Sequence, residues 1–207
     1  MALETIWYFS EIPKTIVDSI TEDLSHNFGN NKSSSLLSID GVENLDIRNS
    51  MNSWVPAEHW TAGFIWHYVK KANDENFLYD ITCIDQNHMQ FTEYTEGQYY
   101  SWHSDTNITE WYKPKTIANI SDNLYEDHIN LEQETVRKLS FIVQLSDPDE
   151  YEGGNVQFLG ANRRSYFVPR KRGTVIVFDS RVPHRVCKVT KGTRKSLVGW
   201  VVGPRWR

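Results

Sequence analysis

Apolar positions near the N-terminus recur every three or four residues. Ile12, Ile16, Val17, Ile20 and Leu24 put one apolar stripe on a helix from Ser10 to Phe28, with Pro13 suited to its first turn. Gly29-Asn30-Asn31 stops that helix, and Ser35 to Ile39 and Leu45 to Asn49 read as short strands around a turn at Asp40-Gly41. A second helix runs from Pro56 to about Ala72, where Trp60, Phe64, Trp66, Tyr68 and Val69 give a broad aromatic face. Its His59 and His67 read as structural or solvated side chains. Past Asn76 the period falls to two over Phe77 to Ile84 and again over His88 to Thr95. This predicts a pair of strands joined by a turn at Asp85-Gln86-Asn87.

The period is then lost. Thr106 to Arg137 is polar, with an acidic excess in Asp122, Glu126, Asp127, Glu132 and Glu134. A connection of roughly 30 residues exceeds the usual length and reads either as a loop beside an active site or as a solvated insertion. Strand character resumes at Lys138 to Leu145. It returns in Asn155 to Leu159, Tyr166 to Pro169, Thr174 to Phe178, His184 to Val189 and Leu197 to Val202. The Gly153-Gly154 pair permits positive φ at a sharp corner. Short strands at even spacing predict an antiparallel sandwich or barrel. The expected organisation is one domain over residues 1–207. In it, residues 1–75 are a mostly helical support and 76–207 a β core carrying the long loop 106–137.

Composition narrows the class. The 207 residues suffice for one sizeable core, and eight Trp, ten Tyr and nine Phe suit a sheet-lined interior. A net charge of −5 argues against a general binder of nucleic acid or anionic membrane. Cys83 and Cys187 form neither a framework nor a Cys-x-x-Cys pair, so no disulfide and a reduced, cytoplasmic setting are expected. No apolar run approaches the roughly 20 residues of a membrane-spanning helix. The oligomeric state is not legible.

The chemistry lies in Tyr99-Tyr100-Ser101-Trp102-His103-Ser104-Asp105. In an extended segment, residues two apart point to one side, so His103 and Asp105 can offer an imidazole nitrogen and a carboxylate oxygen to one point. Taken alone, the pair is equally compatible with a surface turn. His184, after the β-branched run Gly173 to Phe178, is the candidate third ligand; the alternative is a residue closing a turn after Pro183. Two His and one carboxylate, with the opposite octahedral face open, is the arrangement of non-haem Fe(II) oxygenases. Arg194 opens an apolar strand, where a guanidinium is costly unless paired, and a carboxylate is its best partner.

On these residues the sequence resembles the Fe(II)- and 2-oxoglutarate-dependent oxygenases, in the prolyl 4-hydroxylase-like branch that includes the PKHD-type hydroxylases. The resemblance runs from about Phe91 to Pro204. Phe91 to Asp105 resembles the segment leading to that branch's first two ligands, and Lys138 to Gly154 its strand and Glu-Gly-Gly corner. Gly173 to Arg194 resembles its distal block. The long segment 106–137 and Asp179, where relatives often carry a small or apolar residue, are departures. The resemblance implies a mainly β fold with supporting helices, the double-stranded β-helix or jelly roll. It implies Fe(II) on His103, Asp105 and His184, and 2-oxoglutarate held by Arg194 with Tyr94, although Tyr94 also reads as a packed core aromatic. The co-reactants are 2-oxoglutarate and O2, with ascorbate an optional accessory.

The reaction implied is hydroxylation of a prolyl residue in a peptide or protein, coupled to conversion of 2-oxoglutarate to succinate and CO2. A related oxygenase acting on a free amino acid or another small molecule is the alternative. A nucleic-acid demethylase fits less well with the acidic balance, and a non-catalytic binding module does not need three intact ligands. The basic cluster Arg163, Arg164, Arg170, Lys171 and Arg172 reads as a solvated hairpin ahead of a contact for nucleic acid or acidic peptide. His88, His128 and the terminal Arg205-Trp206-Arg207 carry no assigned role.

Overall fold

The computed structural model describes residues 6–29, 32–34, 36–37, 43–44, 48–85, 88–105, 135–160, 164–204 and 206. The N-terminal elements are β1 (Ile6–Phe9), α1 (Lys14–Phe28), β2 (Lys32–Ser34), β3 (Leu36–Leu37), β4 (Glu43–Asn44), β5 (Arg48–Pro56) and α2 (Trp60–Ala72). A π-helical turn, Asn73–Phe77, follows, then β6 (Cys83–Ile84), β7 (His88–Tyr94), β8 (Tyr99–His103) and β9 (Thr135–Gln144). The C-terminal strands are β10 (Tyr151–Gly153), β11 (Val156–Leu159), β12 (Ser165–Phe167), β13 (Val175–Asp179), β14 (His184–Val186), β15 (Val189–Gly192) and β16 (Arg194–Pro204).

Two faces share one curled, antiparallel sheet. The larger face has the order β1-β13-β9-β16-β7-β5, and the smaller continues as β8-β14-β11-β12. β5 joins them: Met51 to Pro56 pair with β7, while Arg48 and Asn49 pair with Tyr100 and Tyr99 of β8. The strands thus fold over one another as a jelly roll.

Strand alternation sorts side chains into two cores. On β16, Leu197 and Val201 join Phe91, Phe141, Val143, Val175 and Val177 beneath Val17, Ile20, Leu24, Ile65 and Val69 of the two helices. The opposite face of the same strands contributes Tyr94, Ile142, Ile176 and Phe178 to the interior, where they meet Val156, Phe158, Val186 and Val189. Burial on both faces explains why β9 and β13 read as near-continuous apolar runs. Each fully buried aliphatic side chain stabilises the fold by about 1.5–3 kcal/mol.

The first helix lies where its stripe predicts it. The second begins at Trp60, because His59 caps it: the imidazole accepts from Thr61 N–H and its Nε2 lies 3.3 Å from Asp23. The strand expected over Phe77 to Ile84 is not formed. Leu78 adopts a left-handed φ of 56°, and the Asn73 side chain accepts from Tyr79 N–H and donates to its carbonyl, both at 2.9 Å. Only Cys83–Ile84 is strand, and it pairs with β16, not with β7.

β1 and most of β5 escaped the periodicity; both belong to the main sheet, beside which the two helices α1 and α2 make up the larger part of the described elements before residue 76. Of the strand expected over Leu45 to Asn49, residues 45–47 lie outside the described residues. Most of the strand expected over Ser35 to Ile39 does too, Leu36–Leu37 pairing with Glu43–Asn44. Residues 106–134 of the expected loop also lie outside, and Thr135–Arg137 belong to β9. His128 and Arg163 lie outside as well.

Only part of the basic cluster lies on a hairpin: Arg164 is in the connection of the antiparallel pair β11–β12, whereas Arg170, Lys171 and Arg172 lie between β12 and β13, which pairs with β9. Arg170 donates to the carbonyls of Pro148 and Tyr151, and Arg172 meets Leu145 O, Thr21 and Asp18 on α1. Both cysteines are free. Among the described residues, no helix is long and apolar enough to cross a membrane.

Candidate metal centre and its buried arginines

β8 and β14 run side by side with His103 directly opposite His184. Their rings lie 4.2 Å apart, and Asp105 follows two residues after His103. His103 Nε2 is 3.7 Å from Asp105 Oδ1, and His184 Nε2 is 3.6 Å from Asp105 Oδ2. One donor atom from each of the three residues lies within 4.8 Å of the others. The local chain enforces this. His103 Nδ1 is 2.8 Å from Ser101 O, and His184 Nδ1 is 2.9 Å from Val182 O. A carbonyl only accepts, so each Nδ1 carries the proton and each Nε2 keeps its lone pair for a metal.

Asp105 is fixed equally well. Its N–H donates to Ser180 O at 2.9 Å, and its Oδ2 accepts from Ser140 Oγ at 2.6 Å. Burial pushes its carboxyl up, but His184, His103 and the Ser140 hydroxyl outweigh that and hold it below the usual carboxylate range. Burial, then the neighbouring His184, pushes His103 down to about 4. A neutral imidazole beside an ionised carboxylate is the state a divalent cation needs. Two imidazole nitrogens and a carboxylate oxygen, all with lone pairs free, fit Fe(II).

Arg194 and Tyr94 are paired in register on β16 and β7, on the interior face. Arg194 is 1% exposed, yet its partners are neutral: Gln144 Oε1 at 2.8 Å, Ser196 Oγ at 3.3 Å and the Tyr94 ring at 5.6 Å. Burial pulls its pKa down, opposed by Tyr151 and Tyr94. Among the described residues, its Nε and the Thr92 Oγ1 are buried without hydrogen-bond partners. A guanidinium in that condition fits a carboxylate guest, such as the distal end of 2-oxoglutarate. The Gly-Gly corner bears on it directly: Gly153 and Gly154 have φ of 72° and 59°, and a Cβ on Gly154 would sit 3.2 Å from Arg194 Cδ.

All five residues singled out from the sequence are therefore interior, with three converging as donors and two forming a neutral-lined guanidinium site. Others were missed. Ser140, Gln144 and Ser196 are polar residues in otherwise apolar strands, and nothing in their residue type sets them apart in the sequence. Tyr100 stacks on His103 with centroids 3.5 Å apart, and the Arg48 guanidinium lies over that tyrosine's ring, 4.9 Å from its centroid. Arg48 falls in the strand read over Leu45 to Asn49, but nothing in the sequence singles out its side chain.

A double-stranded β-helix with two imidazoles and one carboxylate gathered inside it defines a class, the mononuclear non-haem iron oxygenases. Residues 89–202 match the profile of the 2OG-Fe(II) oxygenase superfamily, which is more than half of the chain, and the chain belongs to that superfamily. Its members work with Fe(II), 2-oxoglutarate and O2. A PKHD-type hydroxylase of Picosynechococcus is 37% identical over 98 residues, covering 43% of this chain and 44% of its own. Another, from Synechococcus elongatus, is 29% identical over 136 residues, covering 64% of this chain and 52% of its own. The chain thus spans about half the length of these curated relatives, or less.

Among solved structures, a Pseudomonas putida prolyl-4-hydroxylase superposes with a TM-score of 0.66 at 16% identity, over 98% of this chain and 94% of that one. A Trichoplax adhaerens prolyl hydroxylase, in complex with a hypoxia inducible factor peptide fragment, gives 0.70 at 13%, over 96% and 84%. At these identities the likeness establishes the fold.

Proposed function

We propose that the chain is an Fe(II)- and 2-oxoglutarate-dependent dioxygenase that hydroxylates a prolyl residue of a peptide or protein, with conversion of 2-oxoglutarate to succinate and CO2. The observation that carries the reading is the convergence of His103, Asp105 and His184 in a roll whose interior also buries an arginine hydrogen-bonded to neutral partners. His103, Asp105 and His184 hold the iron, and Arg194, backed by the Tyr94 ring, holds the distal carboxylate of the co-substrate. Bound Fe(II) and 2-oxoglutarate supply the oxidising chemistry with O2. The chain's own residues orient them. Ser140 and the Ser180 carbonyl aim the Asp105 carboxylate, and the Ser101 and Val182 carbonyls aim the two imidazoles. The prolyl substrate is supported by the likeness of the fold to the Pseudomonas putida prolyl-4-hydroxylase and to the Trichoplax prolyl hydroxylase with its bound peptide.

Mixing the protein anaerobically with Fe(II) and 2-oxoglutarate gives the visible charge-transfer absorption of a chelated keto acid, and Asp105→Ala abolishes it. Persistence of the band in that variant would overturn the ligand assignment. Succinate release above background with proline-rich peptides supports the prolyl reading; turnover of free proline with none of the peptides favours a small-molecule substrate.

A further inference from the structure

Arg48 begins β5 and is 8% exposed. Its Nε donates to Ser50 Oγ at 3.0 Å and one Nη to Gln90 Oε1 at 2.9 Å, and its guanidinium lies 4.9 Å from the Tyr100 ring centroid. Among the described residues it meets no carboxylate. By contrast, Arg137, Arg172 and Arg181 each meet an aspartate. Arg48 thus resembles Arg194: a buried cation in the interior of the roll, leaning on neutral groups alone. Removing a guanidinium from water without an anion is costly, and five N–H donors are more than Ser50 and Gln90 can use.

Two further observations place the missing anion. Tyr100 touches both Arg48 and, at 3.5 Å between ring centroids, the metal-site imidazole of His103, so one phenol ring separates the guanidinium from the metal centre. Asn52, 7% exposed and four residues further along the same face of β5, keeps its Nδ2 buried without a hydrogen-bond partner among the described residues. Its Oδ1 lies 3.4 Å from the same Ser50 hydroxyl that Arg48 uses. Guanidinium and amide together offer N–H donors and no negative charge. Arg194 lies on β16, separated from β5 by β7, and the described partners of the two cations differ: Gln144 and Ser196 for Arg194, Ser50 and Gln90 for Arg48.

We infer that Arg48, with Asn52, is a second carboxylate receptor of this chain, and that the substrate itself carries a carboxylate close to the carbon that is hydroxylated. The inference rests on the dioxygenase reading and deepens it. The carboxylate belongs either to a free amino acid or C-terminal residue, or to an Asp or Glu beside the target in a peptide. The receptor chemistry is the same for both.

The test uses the full chain, anaerobic, with Fe(II) and saturating 2-oxoglutarate, so that Arg194 is already engaged. Calorimetric titration compares L-proline with L-prolinamide, N-acetyl-L-proline with its amide, and proline peptides carrying Asp or Glu next to proline with their Asn or Gln counterparts. At least one acid binds about 10- to 100-fold more tightly than its neutral partner. Arg48→Gln removes that preference while the charge-transfer band of the 2-oxoglutarate complex stays, and Arg48→Lys restores part of it. Preference confined to the first two pairs assigns the carboxylate to an amino acid or chain end; preference confined to the peptides assigns it to a neighbouring acidic residue. Absence of any acid preference in the wild type overturns the inference, with no need for a variant to fold. So does an Arg48→Gln protein that keeps the preference, or one that loses the 2-oxoglutarate band, which would make Arg48 part of the co-substrate site. Absence of the band in the wild type would instead overturn the dioxygenase reading.

Discussion

Ser140 shows how much one hydroxyl can decide. It sits in Leu139-Ser140-Phe141-Ile142-Val143, fully buried, and gives its single proton to Asp105 Oδ2 at 2.6 Å. The Ser180 hydroxyl, 2.9 Å away, must then donate to Ser140, so a two-serine chain orients the carboxylate. Outer-shell partners of this kind are worth 10- to 100-fold in metal affinity. Ser140→Ala is expected to weaken Fe(II) binding by about tenfold while leaving unfolding within about 1 kcal/mol of wild type. Metal titration beside urea denaturation checks it; unchanged Fe(II) affinity would show that Asp105 needs no support. His103, Asp105 and His184 were legible as a set, through the chemistry of two imidazoles and a carboxylate and the resemblance of the segments that carry them. Ser140 was not, because serine in a strand has many ordinary explanations.

At the scale of elements, the turn from β13 to β14 holds the metal site to the outer layers. Asp179, a departure from related sequences, is no defect. Its carboxylate takes the Arg181 guanidinium and backbone N–H and accepts from Tyr79 Oη at 2.7 Å. Tyr79 belongs to the segment that failed to form a strand, and Trp206 packs against it, with Arg181 and Lys138 over its indole at 4.1 and 3.6 Å. The penultimate residue, uninformative in the sequence, therefore closes this cluster. Burial raises the Asp179 carboxyl, but Arg181 and Tyr79 outweigh it and hold it below its usual value; burial first, then Asp179, pushes Tyr79 up to about 12. A carboxyl with a depressed folded pKa stabilises the fold above its unfolded pKa of about 3.9, and that contribution fades as pH falls through the folded value. The stability difference between wild type and Asp179→Asn is therefore expected to be largest above about pH 5 and to shrink toward pH 3. Urea midpoints across that range measure it, and a difference independent of pH would mean that Asp179 acts through packing alone.

At the scale of the molecule, the two cores divide labour. The helix-side core holds the sheet flat against α1 and α2, whereas the interior core positions ligands: Phe158 stacks on His184 at 5.5 Å and meets Phe178 edge-on at 4.8 Å. Leu24→Ala and Phe158→Ala each open a cavity costing about 2–5 kcal/mol. Both lower the urea midpoint. Only Phe158→Ala is expected to weaken the Fe(II)–2-oxoglutarate absorption under conditions where both variants are folded. Equal loss of the band in Leu24→Ala would refute the division.

Read from the chain alone, local spacing determined the first helix, the runs that became β7, β9, β11, β13 and β16, the glycine corner and the shared direction of His103 and Asp105. Each of these depends on residues close in sequence or on chemistry peculiar to a residue type. The tertiary structure decided the rest. β5 is a strand because β7 and β8 hold it from both sides, although its own polar residues give no period. Residues 77–84 are mostly not strand because Asn73 satisfies the backbone of Tyr79 first. Whether a buried arginine meets an aspartate or only Ser, Gln and an aromatic ring depends on partners tens of residues away. That contrast separates Arg172 and Arg181, each paired with an aspartate, from Arg48 and Arg194, whose hydrogen-bond partners among the described residues are neutral.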